Sequence, residues 1–117
     1  MSAYHHDLPH GAGLIMISLA YYRAMIRAHA CDDRYVELAR LLGDAEASAP
    51  EDFLPALERL ERACGVADLK MSDWGIDPAE FDDIAGNALA TTQVLFDHDP
   101  APLSHDDVVG ILRESYR

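Results

Sequence analysis

Apolar residues recur along this chain at helical rather than alternating spacing, and they mark five stretches. The first runs from about His10 to His29, where Leu14, Ile15, Ile17, Leu19, Tyr21, Tyr22, Met25 and Ile26 make the early turns apolar almost all round. A helix of that kind belongs in the middle of a bundle rather than on its surface. Pro9 stands at its start, where a missing N–H is tolerated. The second stretch covers roughly Arg34 to Leu42, with Asp32 or Asp33 as cap and Gly43 as stop. Tyr35, Leu38, Ala39 and Leu42 form its apolar stripe.

After a polar, alanine-rich linker (Asp44 to Ala49), a third helix is predicted between about Pro50 and Cys64, ended by Gly65. Phe53, Leu57, Leu60 and Cys64 fall on one face. Pro55 would interrupt a helix that began at Pro50, so the regular part is expected to start near Asp52. An irregular connection from Val66 to Ile76 contains Trp74-Gly75. The fourth helix opens at Asp77-Pro78-Ala79-Glu80, a capping signature with proline in the first turn, and Phe81, Ile84, Ala85, Ala88 and Leu89 form its buried stripe. A proline-marked loop, Asp97 to Leu103, leads to a last helix whose start is signalled by Ser104 and Asp107 and whose apolar face is Val108, Ile111 and Leu112. The pattern predicts an all-α, compact bundle of about five helices in one domain, 1–117, with no internal repeat.

Charge and length narrow the function classes. The chain has 117 residues, half of them hydrophobic, and a formal charge of −12 from 21 acidic and 9 basic residues. A nucleic-acid surface needs a basic patch, and none is visible; the same charge disfavours anionic membranes. The longest apolar stretch, Ala12 to Tyr22, is eleven residues long, short of the roughly 20 that span a bilayer. With no secretory signal pattern either, the chain is expected to be cytoplasmic. Cys31 and Cys64 match no metal or redox spacing and read as reduced, partly buried thiols.

Candidate chemistry concentrates in Ala3-Tyr4-His5-His6-Asp7-Leu8-Pro9-His10-Gly11, which has three histidines and a carboxylate just ahead of the apolar helix. Imidazole suits Fe(II) and Zn(II), and the positive end of a helix dipole favours the neutral ring that a metal needs. The same features also fit a histidine that merely begins a helix. His6 and His10 are four apart, but Pro9 places the intervening residues outside regular helix, so the i, i+4 zinc geometry is not assured. His29, His98 and His105 read as exposed loop or helix-end residues, and the acids from Asp77 to Asp83, with Asp106 and Asp107, as solvated helix faces.

The segment His6-Asp7-Leu8-Pro9-His10-Gly11-Ala12-Gly13-Leu14 resembles the Pro-His-Gly segment of the iron-containing (group III) alcohol dehydrogenases. Later pieces follow the family in order: Ala39 to Gly43, Leu57 to Gly65, Gly75-Ile76 before an acidic helix, and Asp99-Pro100-Ala101-Pro102-Leu103-Ser104. Asp99 and Ala101 stand where the family commonly has asparagine and arginine. The resemblance implies the helical, metal-binding C-terminal domain of a dehydroquinate-synthase-like dehydrogenase, whose N-terminal α/β domain binds NAD(P). In the family one aspartate and three histidines hold Fe(2+), or sometimes Zn(2+), and the last of those histidines corresponds to His10. The ion supplies Lewis acidity toward a small alcohol or aldehyde, and hydride passes to or from the nicotinamide.

Met1 stands nine residues before His10, so the other ligands and the nucleotide domain are expected to be absent. The chain alone is therefore expected to be an inactive fragment that retains one metal ligand and binds no cofactor of its own, with no catalytic residue assigned. Zinc-using relatives of the same superfamily, such as glycerol dehydrogenases, are a competing assignment. A non-enzymatic helical interaction or oligomerisation module is another. Helices that lie buried in the parent would be exposed here, so a homo-oligomer is expected.

Overall fold

The computed structural model describes residues 1 and 5–117. Its α-helices are α1 (His10–Arg27), α2 (Asp32–Leu41), α3 (Phe53–Ala63), α4 (Phe81–Phe96) and α5 (His105–Ser115). Short 3₁₀ turns lie at Pro50–Asp52, Met71–Trp74 and Pro78–Glu80, and no strand occurs among the described residues. The all-α reading and the number of helices therefore hold.

Local chemistry sets the helix boundaries. Behind α2, the Gly43 N–H donates to the Arg40 carbonyl and the Asp44 N–H to that of Ala39, each at 3.0 Å. Behind α3, Gly65 bonds Arg62 and Val66 bonds Glu61 in the same way. This paired closure needs a left-handed residue just past the helix, and both glycines supply it, with φ of +98° and +72°. α1 closes identically through His29 to Ile26 and Ala30 to Met25, although His29 is not glycine and is held at φ +51°.

At the other ends, the Asp77 carboxylate accepts from the Ala79 N–H at 2.9 Å while Glu80 accepts from the Asp77 N–H at 3.1 Å. Ser104 and Asp107 cap α5 reciprocally. The Asp52 carboxylate accepts from the N–H groups of Ser48 and Ala49, so regular helix begins at Phe53 and Pro55 falls harmlessly in its first turn, as expected.

Three expectations about faces and ends need correction. α2 starts at Asp32, with Cys31 in the cap position and no side-chain cap. Both aspartates thus sit in the first turn, where the helix dipole favours them, and His29 Nδ1 lies 2.8 Å from Asp32 Oδ2. On α3 the buried residues are Phe53, Ala56 and Glu61, while Leu60 and Cys64 are exposed. Glu61 faces α1, where the Ser18 hydroxyl meets its carboxylate at 2.7 Å. Finally, α1 is not enclosed all round. It packs against α5 and α3 through Gly13, Met16, Ala20, Met25 and Ile26, leaving Leu14 51% exposed.

The core has two centres, and α1 runs through both. Leu8, Met16, Met71, Ile76, Phe81, Ile84 and Leu112 are among the residues of the first. Met25, Ile26, Tyr35, Ala39, Phe53 and Ala56 build the second. α4 loses regular geometry at Thr92 (φ −127°, ψ 28°), whose hydroxyl donates to the Ala88 carbonyl at 2.6 Å, a back-bond that bends helices. Beyond that bend Val94 and Leu95 are exposed.

A candidate metal ligand at the start of the first helix

Leu8 is the residue that fixes the histidine segment to the body of the protein. It is buried in the first core centre, close enough to α1 that a Cβ added at Gly13 would meet its Cδ2 at 3.6 Å. The Leu8 N–H donates to the His5 carbonyl and the His5 N–H to that of Met1, so residues 5–8 form a turn. Pro9 then occupies the cap position in extended backbone rather than the first helical position, and His10 is the first residue of α1. No side chain caps this helix and its first turn carries no acid.

This turn separates the three histidines. His5 points inward, its Nε2 2.9 Å from Oε2 of Glu80 at the entry to α4. That contact and the Asp77 N–H, the latter the stronger influence, hold the Glu80 carboxyl below its ordinary range. His6 and Asp7 are exposed in the turn, and His6 is not on the helix, so the i, i+4 arrangement with His10 does not form. His10 is exposed, and its side chain has no hydrogen-bond or ion-pair partner among the described residues. Beside it, a Cβ at Gly11 would meet nothing within 4 Å. Ala3 and Tyr4, part of the same sequence segment, lie outside the described residues.

The imidazole of His10 is therefore free to bind a group approaching the helix start. However, no group of three or more His, Cys, Asp or Glu side chains converges among the described residues. One imidazole does not make a tetrahedral or octahedral site. By themselves, the residues described here do not fit a firmly held divalent ion.

Several polar contacts were not legible in the sequence, because their partners are far apart along it. His5 and Glu80 are 75 residues apart, and Ser18 and Glu61 are 43 apart. Tyr21 donates to Asp99 at 2.7 Å across 78 residues. Burial, followed by that hydrogen bond, pushes the Tyr21 phenol well above its ordinary value. Asp99 thus fastens the loop before α5 to α1.

The titrating groups predict a two-sided pH dependence of stability. Backbone and hydroxyl donors depress Asp52, Glu80 and Asp107 below their ordinary 3.8, 4.5 and 3.8. Their contribution is present above those values and is lost as pH falls through the depressed ones. His29, raised by Asp32, and His105, raised by the Asp82 carbonyl and Asp106, start from 6.5. Their contribution is complete below 6.5 and is lost as pH rises through the higher folded values. Urea midpoints should therefore form a plateau from about pH 4.5 to 6.5 and decline on both sides. Asp52→Asn should flatten the acid limb alone; an unchanged acid limb would count against the assignment.

The comparisons with known proteins agree with the geometry. The model of the Fe-containing alcohol dehydrogenase family, C-terminal, matches residues 2–116. Among solved structures, the chain is similar to the crystal structure of an archaeal halo-thermophilic alcohol dehydrogenase from a Red Sea brine pool. The TM-score is 0.81 at 23% identity, with 97% of this chain and 30% of that chain covered. The likeness at that identity is one of fold, and this chain spans under a third of the length of that enzyme. No curated protein matches the chain significantly. With a family match over almost its whole length and a helical fold in agreement, the chain belongs to the iron-containing alcohol dehydrogenase family, as its C-terminal domain.

Proposed function

We propose that this chain is the metal-binding part of an NAD(P)-dependent alcohol dehydrogenase, with His10 as one ligand of the metal. Two observations support the reading: a family match over residues 2–116, and a His10 side chain exposed at the N-terminus of α1 without a side-chain partner among the described residues. On this reading the remaining ligands would come from residues upstream of His10 in the family's order, and the nicotinamide cofactor from the family's α/β domain. When bound, iron or zinc would supply Lewis acidity toward a small alcohol or aldehyde. The chain contributes a fixed helix start and one imidazole nitrogen donor; Leu8 and the turn 5–8 hold that donor in place.

On this reading the purified chain oxidises no short alcohol with NAD or NADP, with or without added Fe(2+) or Zn(2+). It also binds such an ion only weakly, through His10. NMR of the histidine side chains during titration with Co(2+) should broaden His10 first, and His10→Ala should remove that response without changing the unfolding midpoint. Turnover by the chain alone would sink the proposal that it is incomplete, and an unresponsive His10 would sink its assignment as ligand.

A second reading, a helical interaction or oligomerisation module, is favoured by one observation. Leu14, Val94 and Leu95 are large apolar residues left exposed, and such surface promotes association. On either reading self-association is expected, and a monodisperse monomer in light scattering would contradict it. No helix of the described residues is long and apolar enough to cross a membrane.

A further inference from the structure

The charge on this chain is one-sided in kind as well as in sum. Its 21 acidic residues include fourteen aspartates, while Lys70 is the single lysine beside eight arginines. Folding provides few cationic partners. Arg23 and Arg27 both reach one carboxylate, Glu114, and Arg62 pairs with Glu58. Arg40 and Arg117 instead donate to the backbone carbonyls of Ala47, Ala67 and Leu69. Among the described residues, the arginine ion pairs thus use only two carboxylates.

Folding also brings acids together. His105 Nε2 donates to the Asp82 carbonyl at 3.1 Å, so the start of α5, with Asp106 and Asp107, lies beside the start of α4. Glu37, Glu46, Asp68 and Asp73 are exposed elsewhere on the surface, and their side chains make no hydrogen bond or ion pair among the described residues. An unfolded chain separates these charges, so their repulsion acts against the compact state.

We infer that the folded state of this chain depends on ionic strength, with dissolved salt supplying the screening that its own cations do not. Spread over 6968 Å² of surface, the net charge of −12 leaves about 580 Å² per charge, a mean spacing of roughly 24 Å. The screening length is about 30 Å at 0.01 M salt, 10 Å at 0.1 M and 3 Å at 1 M. Repulsion between average neighbours is therefore felt at 0.01 M and largely gone at 0.1 M. Closer acids, such as those at the starts of α4 and α5, need several tenths molar.

Thermal unfolding of the full chain at pH 7, followed by far-UV circular dichroism between 0.01 and 1 M salt, tests this. The midpoint should rise by about 10 °C, more than half of it below 0.3 M. NaCl and KCl should act alike, and sucrose at equal osmolality should give less than about a third of the rise. A quadruple variant, E37Q/E46Q/D68N/D73N, removes four of the twelve net charges from groups outside any cap. Self-repulsion scales with the square of net charge, so the variant should melt higher at 0.01 M and show about half the salt-induced rise. A wild-type chain unfolded at 0.01 M that folds on adding salt and unfolds again on dialysis gives the same support. A midpoint flat from 0.01 to 1 M, an equal rise in variant and wild type, or a sucrose effect as large as that of salt overturns the inference.

Discussion

Phe81→Ala should destabilise the fold by about 3–5 kcal/mol, a fall in melting temperature of roughly 10–25 °C for a domain of this size. Phe81 is the first residue of α4 and is 0% exposed. It shares the first core centre with Leu8, Met71, Ile76, Ile84 and Leu112, and its ring meets the edge of Tyr116 at 6.0 Å. Its removal loses the transfer energy of a ring and leaves a cavity that the ends of several elements cannot close together. Leu41→Ala, at a residue 75% exposed on α2, is the control and should stay within about 0.5 kcal/mol of wild type. Urea unfolding of the two variants beside wild type decides the matter. A Phe81→Ala chain within 1 kcal/mol of wild type would show that this centre is not packed as described. Because Leu8 belongs to the same centre, the variant should also loosen the turn that presents His10.

The parts of this fold that were legible in the sequence are those decided within a few residues. Gly43 and Gly65 end helices because the backbone just past a helix turns left-handed, and Ser104 with Asp107, or Asp77 with Glu80, start them by satisfying N–H groups three residues away. What failed depended on neighbours. Asp32 satisfies both the rule for a cap and the rule for a first-turn acid, and the local pattern does not choose between them; it lies in the first turn, its carboxylate 2.8 Å from His29 Nδ1. The apolar run of α1 says that some face is buried but not which face lacks a partner, and Leu14 proved to be exposed. α3 buries Glu61 and leaves Leu60 exposed, and the partner of the buried carboxylate, Ser18, lies 43 residues away on another helix.

The site divides in the same manner. Residue chemistry alone left His10 no better than a histidine that begins a helix; the Pro9-His10-Gly11 resemblance singled it out, and the family match agrees with that resemblance. The fold adds a distinction between neighbouring histidines that no spacing rule supplied. His5 is tied to Glu80, His6 sits on the turn, and His10 stands free.

Phe53→Ala should cost about as much as Phe81→Ala, roughly 3–5 kcal/mol, but should act on the opposite end of the molecule. Phe53 begins α3 in the second core centre, edge-on to Tyr22 at 5.0 Å and stacked on Tyr35 at 5.5 Å. Each aromatic pair adds about 0.5–1.5 kcal/mol beyond the buried area, so the loss should lie toward the upper end. Amide hydrogen exchange separates the two variants. Phe53→Ala should raise exchange in α2, α3 and the second half of α1, around Met25 and Ile26, while Leu8 and Met16 stay protected. Phe81→Ala should do the reverse. The double variant would then lose about 6–10 kcal/mol, comparable to the whole stability of a natural domain, and should not fold. Exchange rising uniformly in both single variants would show instead that α1 couples the centres into one unit, so that no part of the fold, including the turn that precedes His10, can loosen alone.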